Sequence, residues 1–148
     1  MSNDEMRPEP RILLVEDNPV DVLMVRRALK NGGFQNPPIV LDDGEPALDF
    51  LAQRGGFEAA VLPDLVILDL NLRKVDGPEV LSFIRRTPKL RGLRVIILSS
   101  SPEDVMKSHA EKADYYIEKP TDAASFLNLG TRIRDFYRDS LHSSADMS

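Results

Sequence analysis

The chain has 148 residues, of which 42% are hydrophobic and 29% charged, a composition typical of one domain with a sizeable core. Its net charge of −5 argues against nucleic-acid binding, which requires a basic face, and the lack of cysteine excludes disulfides and cysteine zinc sites. No apolar run approaches the roughly 18 residues of a membrane span, and the acidic N-terminus is unlike a signal peptide. We therefore expect a cytoplasmic protein without a membrane partner.

The first predicted strand covers residues 11–15 and follows a polar segment, residues 1–10, that we expect to be a flexible tail. The strand runs directly into two acids, Glu16 and Asp17. A helix start follows, because Asn18 can cap a helix whose first residue is proline. The two acids therefore lie at the junction between a buried strand and a helix.

The next elements repeat this alternation of strand and helix. A short strand at 38–41 leads through a turn into a helix that the pair Gly55-Gly56 is expected to end. The third strand, at 65–69, consists of four apolar residues followed by the carboxylate of Asp69. A continuous apolar run of this length is typical of a strand buried on both faces.

The C-terminal half contains two more strands, at 93–98 and 115–118, which end next to Ser99 and Lys119 respectively. Helices are predicted from Pro78, from Ser101, and after a cap at Thr121 or Asp122. We expect one domain over residues 11–141 and a flexible tail over residues 142–148.

Five strands that alternate with five helices predict an α/β fold, a doubly wound parallel sheet with helices on both faces. The strand order 2-1-3-4-5, which gives a flavodoxin-like fold, is one of the two common orders for such sheets. In that order the first and third strands are neighbours, and the carboxyl ends of all five strands lie at one edge.

Three acids would then meet at this edge: Glu16, Asp17 and Asp69. Carboxylates a few Å apart repel one another by roughly 4 kcal/mol per pair at an effective dielectric constant of 20, so the group needs a cation or shared protons. Carboxylate oxygens favour Mg²⁺. Ser99 and Lys119 reach the same edge, and a hydroxyl and an ammonium beside a cation suit a phosphoryl group. An ionised carboxylate can act as the nucleophile, which would place an acyl phosphate on Asp69.

The order and placement of these residues resemble the receiver domain of response regulators, over about residues 11–137. The motifs that match are Glu16-Asp17-Asn18, Asp69-Leu70-Asn71, Leu98-Ser99 and Tyr116-Ile117-Glu118-Lys119-Pro120. The resemblance implies a single-domain response regulator of a two-component system. Such a protein accepts a phosphoryl group from a phosphohistidine of a sensor kinase, and it is not an enzyme beyond a slow self-dephosphorylation.

The resemblance also implies a role for each residue of the site. It implies a Mg²⁺ site with four ligands: Glu16, Asp17, Asp69 and the backbone carbonyl of Asn71. It assigns phosphoryl acceptance to Asp69, and contact with the phosphate to Ser99 and Lys119. The ring of Tyr116 is expected to turn inward when Ser99 moves.

Three runs look closest to stand-alone receivers that serve phytochrome-type histidine kinases: Val15–Pro19, Asp43–Leu51 and Leu68–Leu72. Two positions depart from the family's pattern. Arg73 stands where proline is usual, and Lys112 precedes an alanine where glycine is usual. They affect the loop after the third strand and the cap of a helix, and neither removes a site residue.

Two other functions stay open on the residues alone. Aspartate-nucleophile, Mg²⁺-dependent phosphohydrolases are locally similar, but they need a second acid where this chain has Asn71, and a cap domain. A receiver-like binding module that ignores phosphate would have no need of the acids, the hydroxyl and the lysine together.

The output of the switch is expected to leave through a surface, since no output domain follows the last helix. We expect a homodimer through the helix predicted from Ser101, the fifth strand and the last helix. Four residues could extend an apolar patch there: Tyr115, Phe136, Tyr137 and Leu141.

Overall fold

The computed structural model describes residues 9–70, 72, 77–100 and 113–147, and the side chains as far as residue 141. Within that part of the chain, five parallel strands form one sheet in the order β2-β1-β3-β4-β5, which confirms the predicted order. The strands are β1 (Ile12–Val15), β2 (Ile39–Leu41), β3 (Leu65–Asp69), β4 (Arg94–Ser99) and β5 (Tyr115–Glu118). The central position of β3 buries all five of its residues, including the terminal aspartate.

Four α-helices are described, together with a short 3-10 helix at Pro88–Leu90. They are α1 (Pro19–Asn31), α2 (Gly44–Ala52), α3 (Gly77–Arg86) and α4 (Ala123–Met147). The helix predicted from Ser101 lies outside the described residues. The backbone of α4 continues beyond residue 141, where we placed the end of the domain. None of the described helices combines the length and apolarity needed to cross a membrane.

The sheet has an apolar layer on each face, because alternate residues of a strand point to opposite sides. Leu13, Val66 and Val95 belong to the layer that packs against α2 and α3. Leu14 and Ile67 belong to the layer that packs against α1 and α4. Both layers consist of buried aliphatic side chains, so the carboxyl edge of the sheet is supported from both sides.

Side-chain caps fix the starts of the two helices beside that edge. The Asn18 side chain accepts hydrogen bonds from the backbone N–H groups of Val20 (2.9 Å) and Asp21 (3.4 Å), as the predicted cap requires. At the start of α4 the cap is Asp122, which accepts from the N–H of Ser125 at 2.8 Å. That hydrogen bond lowers the pKa of Asp122. Both helix starts therefore have a defined position.

The end of α2 differs from the prediction. The helix ends at Ala52, before the glycine pair at 55–56 that was expected to end it. Gln53 takes up the left-handed conformation instead, with φ of 56°, and its side-chain amide donates to the carbonyl of Ala60 at 2.8 Å. This tertiary hydrogen bond holds a conformation that a non-glycine residue rarely adopts.

Helix α4 packs closely against the C-terminal end of α1, where Gly130 and Gly32 face each other. A Cβ atom added at Gly130 would overlap the backbone carbonyl of Ala28, and one added at Gly32 would lie 2.5 Å from the carbonyl carbon of Gly130. The contact fixes α1, which begins just after the acids of β1, against α4, which begins just after Lys119.

Candidate functional site

Three carboxylates meet at the carboxyl ends of β1 and β3. Val15 pairs with Leu68 across the two strands, so the residues that follow them lie side by side. Each of Glu16, Asp17 and Asp69 offers an oxygen within 4.8 Å of the others, and we call these residues the acid cluster. Glu16 is 1% exposed and Asp69 is 3% exposed, whereas Asp17 is half-buried. The structure thus brings together the three acids that the sequence singled out.

The two oxygens of Glu16 have different surroundings. Oε1 accepts a hydrogen bond from the backbone N–H of Asn18 at 3.2 Å, which orients the carboxyl group. Oε2 is buried, and the ammonium nitrogen of Lys119 lies 2.9 Å away as its ion-pair partner. No other described residue donates a hydrogen bond to this oxygen. Oε2 is therefore a buried acceptor with a lone pair that a cation could use.

Burial raises the pKa of Glu16, and the neighbouring charge of Asp69 raises it further, to about 7. Lys119 opposes both effects, but it does not cancel them. In the absence of a metal ion, the Glu16 carboxyl group is thus partly protonated near neutral pH. A proton is one way to relieve the repulsion within the acid cluster, and a bound cation is the other.

The ammonium group of Lys119 lies among three carboxylates. Its nitrogen is 2.8 Å from Oδ2 of Asp21, 2.9 Å from Oε2 of Glu16 and 3.3 Å from Oδ2 of Asp69. The backbone of Lys119 is fixed as well, because its N–H donates to the carbonyl of Ser99 at 2.7 Å. Burial alone would lower the pKa of Lys119, but the surrounding carboxylates raise it above its ordinary value, so the group is charged.

Among the described residues, acidic side chains outnumber basic ones at the site. One ammonium faces the acid cluster and Asp21, and it is the one described group that lies close to Oε2 of Glu16 as a donor. Repulsion of several kcal/mol within such a group favours a bound cation. Carboxylate oxygens are the ligands that hard divalent ions prefer, so the residues present fit a divalent metal ion.

Ser99 ends β4, and Tyr116 is the second residue of β5, where it pairs with Ile97. Ser99 is buried and follows Leu98, the residue that pairs with Asp69 across β3 and β4. Tyr116 is half-buried, and its hydroxyl accepts a hydrogen bond from the N–H of Ala113 at 3.0 Å. Ser99 thus lies at the edge where the sequence placed it, whereas the hydroxyl of Tyr116 is directed towards the start of β5, and the part of both residues in a switch stays a prediction.

Some predicted features lie outside the described residues. They are Asn71, whose carbonyl is a predicted metal ligand, and the departures at Arg73 and Lys112. The chain resumes at Gly77, whose N–H donates to the carbonyl of Leu70 at 3.3 Å. A Cβ atom added at Gly77 would lie 2.7 Å from the carbonyl oxygen of Asp69. The start of α3 therefore contacts the backbone of the central acid, which the sequence did not predict.

Sequence reasoning also missed Asp21, the carboxylate closest to Lys119. The sequence pattern assigned this residue no role. The available signal was its place in the first turn of α1, at the edge of the sheet where the acids were expected.

The family model of the response regulator receiver domain matches residues 12–129. Over 141 residues the chain is 35% identical to the response regulator Rcp1 of Synechocystis sp., an alignment that covers 94% of this chain and 96% of that protein.

Solved structures give the same result. The phosphorylated cyanobacterial phytochrome response regulator RcpA superposes with a TM-score of 0.81 at 34% identity, over 87% of this chain and 94% of that one. The Mn²⁺-bound form of Rcp1 superposes with a TM-score of 0.78 at 35% identity, over 86% of this chain and 94% of that one. With a fold, a family match and relatives that agree over most of its length, this chain belongs to the response regulator receiver family.

Proposed function

We propose that this response regulator accepts a phosphoryl group on Asp69 from a phosphohistidine of a sensor kinase. The observation that carries the proposal is the place of Asp69. Its carboxylate ends the central strand, belongs to the acid cluster and lies 3.3 Å from the ammonium of Lys119. A rigidly held carboxylate with a cation beside it is a suitable nucleophile for phosphoryl transfer.

The transfer exchanges one bond to phosphorus for another. An oxygen of Asp69 bonds to phosphorus while the bond between phosphorus and the histidine nitrogen of the kinase breaks. The electron pair of that bond stays on the nitrogen, which takes up a proton from solvent, and the product is an acyl phosphate. In this proposal Lys119 neutralises the phosphoryl oxygens, and the hydroxyl of Ser99 is the donor from β4.

We propose Mg²⁺ as the metal ion of the site. Glu16, Asp17 and Asp69 would hold it, with the backbone carbonyl of Asn71 as a further ligand. The ion would supply charge neutralisation for the phosphoryl group. The support is the all-oxygen donor set and the buried lone pair on Oε2 of Glu16. The relative Rcp1 has been solved with Mn²⁺, so titration with both ions is the direct comparison.

The proposed output is a rearrangement that begins at Ser99 and Tyr116 and ends at a homodimer interface. The interface would contain β5, α4 and the helix predicted from Ser101. Its support is an aromatic pair at the edge of the sheet, in which the ring of Tyr115 stacks on that of Phe136 with centroids 5.1 Å apart. Tyr137 beside this pair is half-buried, as is Leu141. Sedimentation of the phosphorylated and unphosphorylated protein tests the dimer, and a monomer at high concentration in both states contradicts it.

A phytochrome-type histidine kinase is the proposed source of the phosphoryl group, which places the protein in the cytoplasm with the catalytic part of that kinase. The support is that the chain spans 94% of RcpA, a phytochrome response regulator by its name. Transfer from an autophosphorylated phytochrome kinase should be faster than transfer from a kinase with an unrelated sensor. Equal rates of transfer from the two kinases would contradict the phytochrome kinase as the specific donor, but they would not contradict phosphoryl acceptance by Asp69.

The experiment for the site is labelling with acetyl phosphate and Mg²⁺, followed by intact mass spectrometry. Wild type should gain one phosphoryl group and Asp69→Asn none, because the amide is not a nucleophile of this kind. The matched control is Asp64→Asn just before the other end of β3, where the side chain accepts a hydrogen bond from the N–H of Arg11. Labelling of Asp69→Asn contradicts the site. Continuous phosphate release by wild type would favour a phosphohydrolase instead.

A further inference from the structure

One carboxylate at the site has no assigned role. Asp21 lies in the first turn of α1, and its Oδ2 makes the shortest of the three contacts to the ammonium of Lys119, at 2.8 Å. Its side chain is 20% exposed, and it does not belong to the acid cluster, which among the described residues consists of Glu16, Asp17 and Asp69.

The three partners of Lys119 are therefore of two kinds. Glu16 and Asp69 are candidate metal ligands, and a divalent ion at the acid cluster would engage their oxygens and repel the ammonium. Asp21 is the partner of Lys119 that a metal ion at the acid cluster leaves available. It has a charge of its own and a hydrogen bond with the ammonium.

The backbone of Asp21 is held independently of the metal site. Its N–H donates to the capping side chain of Asn18, and α1 is fixed against α4 through the close contact at Gly130. An acceptor on a fixed helix gives the flexible lysine chain a defined end point.

We propose that Asp21 is a positioning residue, which keeps the ammonium of Lys119 beside Asp69 when a divalent ion occupies the acid cluster. The proposal rests on the proposed function, because it concerns the residue that receives the phosphoryl group. Asp21 itself contacts neither the phosphoryl group nor the metal. The ammonium of Lys119 is then already in place when the phosphoryl donor arrives. The activation free energy of the transfer therefore includes no cost for moving the lysine back.

The sign of the effect separates positioning from simple charge. Asp21→Asn removes a negative charge from a site that binds an anionic donor, and that change alone would speed labelling. If Asp21 positions the ammonium of Lys119, the substitution slows labelling instead, because the ammonium is no longer held beside Asp69. We expect Asp21→Asn to lower the rate constant at saturating acetyl phosphate about tenfold. Asp21→Glu retains the charge and the acceptor, and we expect it to restore at least half of the loss.

A double variant shows whether the effect passes through Lys119. In the Lys119→Ala background, Asp21→Asn should cause no further loss of labelling rate, because there is no ammonium left to position. A further tenfold loss there, or faster labelling by Asp21→Asn alone, overturns the proposal. If wild type is not labelled on Asp69 at all, the proposed function fails, and that result is distinct from labelling that is insensitive to residue 21.

A second readout follows the lysine without any transfer reaction. The protein is treated briefly with an amine-acylating reagent, with and without Mg²⁺, and modification of Lys119 is counted by peptide mass spectrometry. In wild type, Mg²⁺ should leave Lys119 protected. In Asp21→Asn, Mg²⁺ should increase its modification several-fold, whereas Glu16 and Asp69 still protect it without the ion. Equal modification of the two proteins in Mg²⁺ contradicts the proposal, and the exposed Lys89 serves as the internal standard.

Discussion

Two groups of charged residues lie at opposite ends of the sheet, and they differ in how charge is balanced. At the amino ends of β4 and β5, Arg85 pairs with Asp114 at 2.9 Å. Each partner also bonds to the backbone: Arg85 donates to the carbonyl of Leu93 at 3.1 Å, and Asp114 accepts from the N–H of Val95 at 2.7 Å. Within the part of the chain that the structure describes, this ion pair joins one charge to one opposite charge, and both side chains are partly exposed.

At the carboxyl ends the same chemistry is arranged differently. Among the described residues, one ammonium faces Glu16, Asp21 and Asp69, and a buried oxygen of Glu16 has no donor besides that ammonium. A balanced pair with backbone partners holds elements together. An unbalanced, buried group costs folding free energy, and such groups are characteristic of functional sites. The predictions below alter one charge at a time in these two places.

The largest effect is expected for Lys119→Ala. Removing the ammonium takes a buried cation away from the carboxylates of Glu16 and Asp69, so the free energy of unfolding of the metal-free protein should fall by about 3 kcal/mol. Mg²⁺ should recover most of that loss and should still bind, because the acid cluster is intact. Labelling of Asp69 should slow. Phosphorylation of wild type should change the NMR shifts of Ser99 and Tyr116, and phosphorylation of the variant should not.

Denaturant unfolding with EDTA and with Mg²⁺ measures the stability difference. Lys89→Ala is the matched control, because Lys89 is exposed and its ammonium contacts only the side-chain oxygen of Gln53 among the described residues, at 3.0 Å. Equal stability of Lys119→Ala and wild type in EDTA would show that the acid cluster does not strain the fold. If the phosphorylated Lys119→Ala variant shows the same NMR shift changes as wild type, Lys119 does not couple phosphate to the switch.

An effect of opposite sign, and of at most the same size, is expected for Glu16→Gln in the absence of metal. The folded pKa of Glu16 is about 7 against an ordinary value of 4.5, so ionisation of this group disfavours the folded state. The cost is absent below pH 4.5, grows as the pH rises towards 7 and is then constant at about 3 kcal/mol. Glutamine cannot ionise, so the variant should be more stable than wild type at pH 8 by up to that amount, and equally stable near pH 4.5.

The measurement is the difference in unfolding free energy between Glu16→Gln and wild type, in EDTA, as a function of pH. Glu118→Gln is a control with the same change of side chain at an exposed position of the same edge. In Mg²⁺ the order should reverse, because wild type binds the ion more tightly. A difference that does not vary with pH would contradict the raised pKa.

The sequence predicted the central part of the site because that part depends on strands. Apolar runs locate β1 and β3, and parallel pairing places their carboxyl ends at one edge, so Glu16 and Asp69 had to be neighbours once the strand order was known. Lys119 follows from the same rule, since it comes directly after β5.

The remaining features depend on how helices pack against the sheet. Asp21 reaches Lys119 only because α1 lies at a particular angle over the sheet, and that angle depends on the close contact between Gly130 and Ala28. The left-handed Gln53 likewise depends on a hydrogen bond to a distant carbonyl. Periodicity within one segment carries no information about such contacts between segments.

The smallest effect is expected at the balanced pair. Arg85→Ala removes a partly exposed ion pair and one hydrogen bond to the backbone. The free energy of unfolding should therefore fall by about 1 kcal/mol at low salt, at any pH between 6 and 8. Labelling of Asp69 and Mg²⁺ affinity should be unchanged, because the pair lies at the other end of the sheet. Arg85→Lys, which retains the charge without the planar group, should lose less stability. A loss of labelling in Arg85→Ala would show that the two ends of the sheet are coupled, and the distinction between a structural and a functional group of charges would not hold.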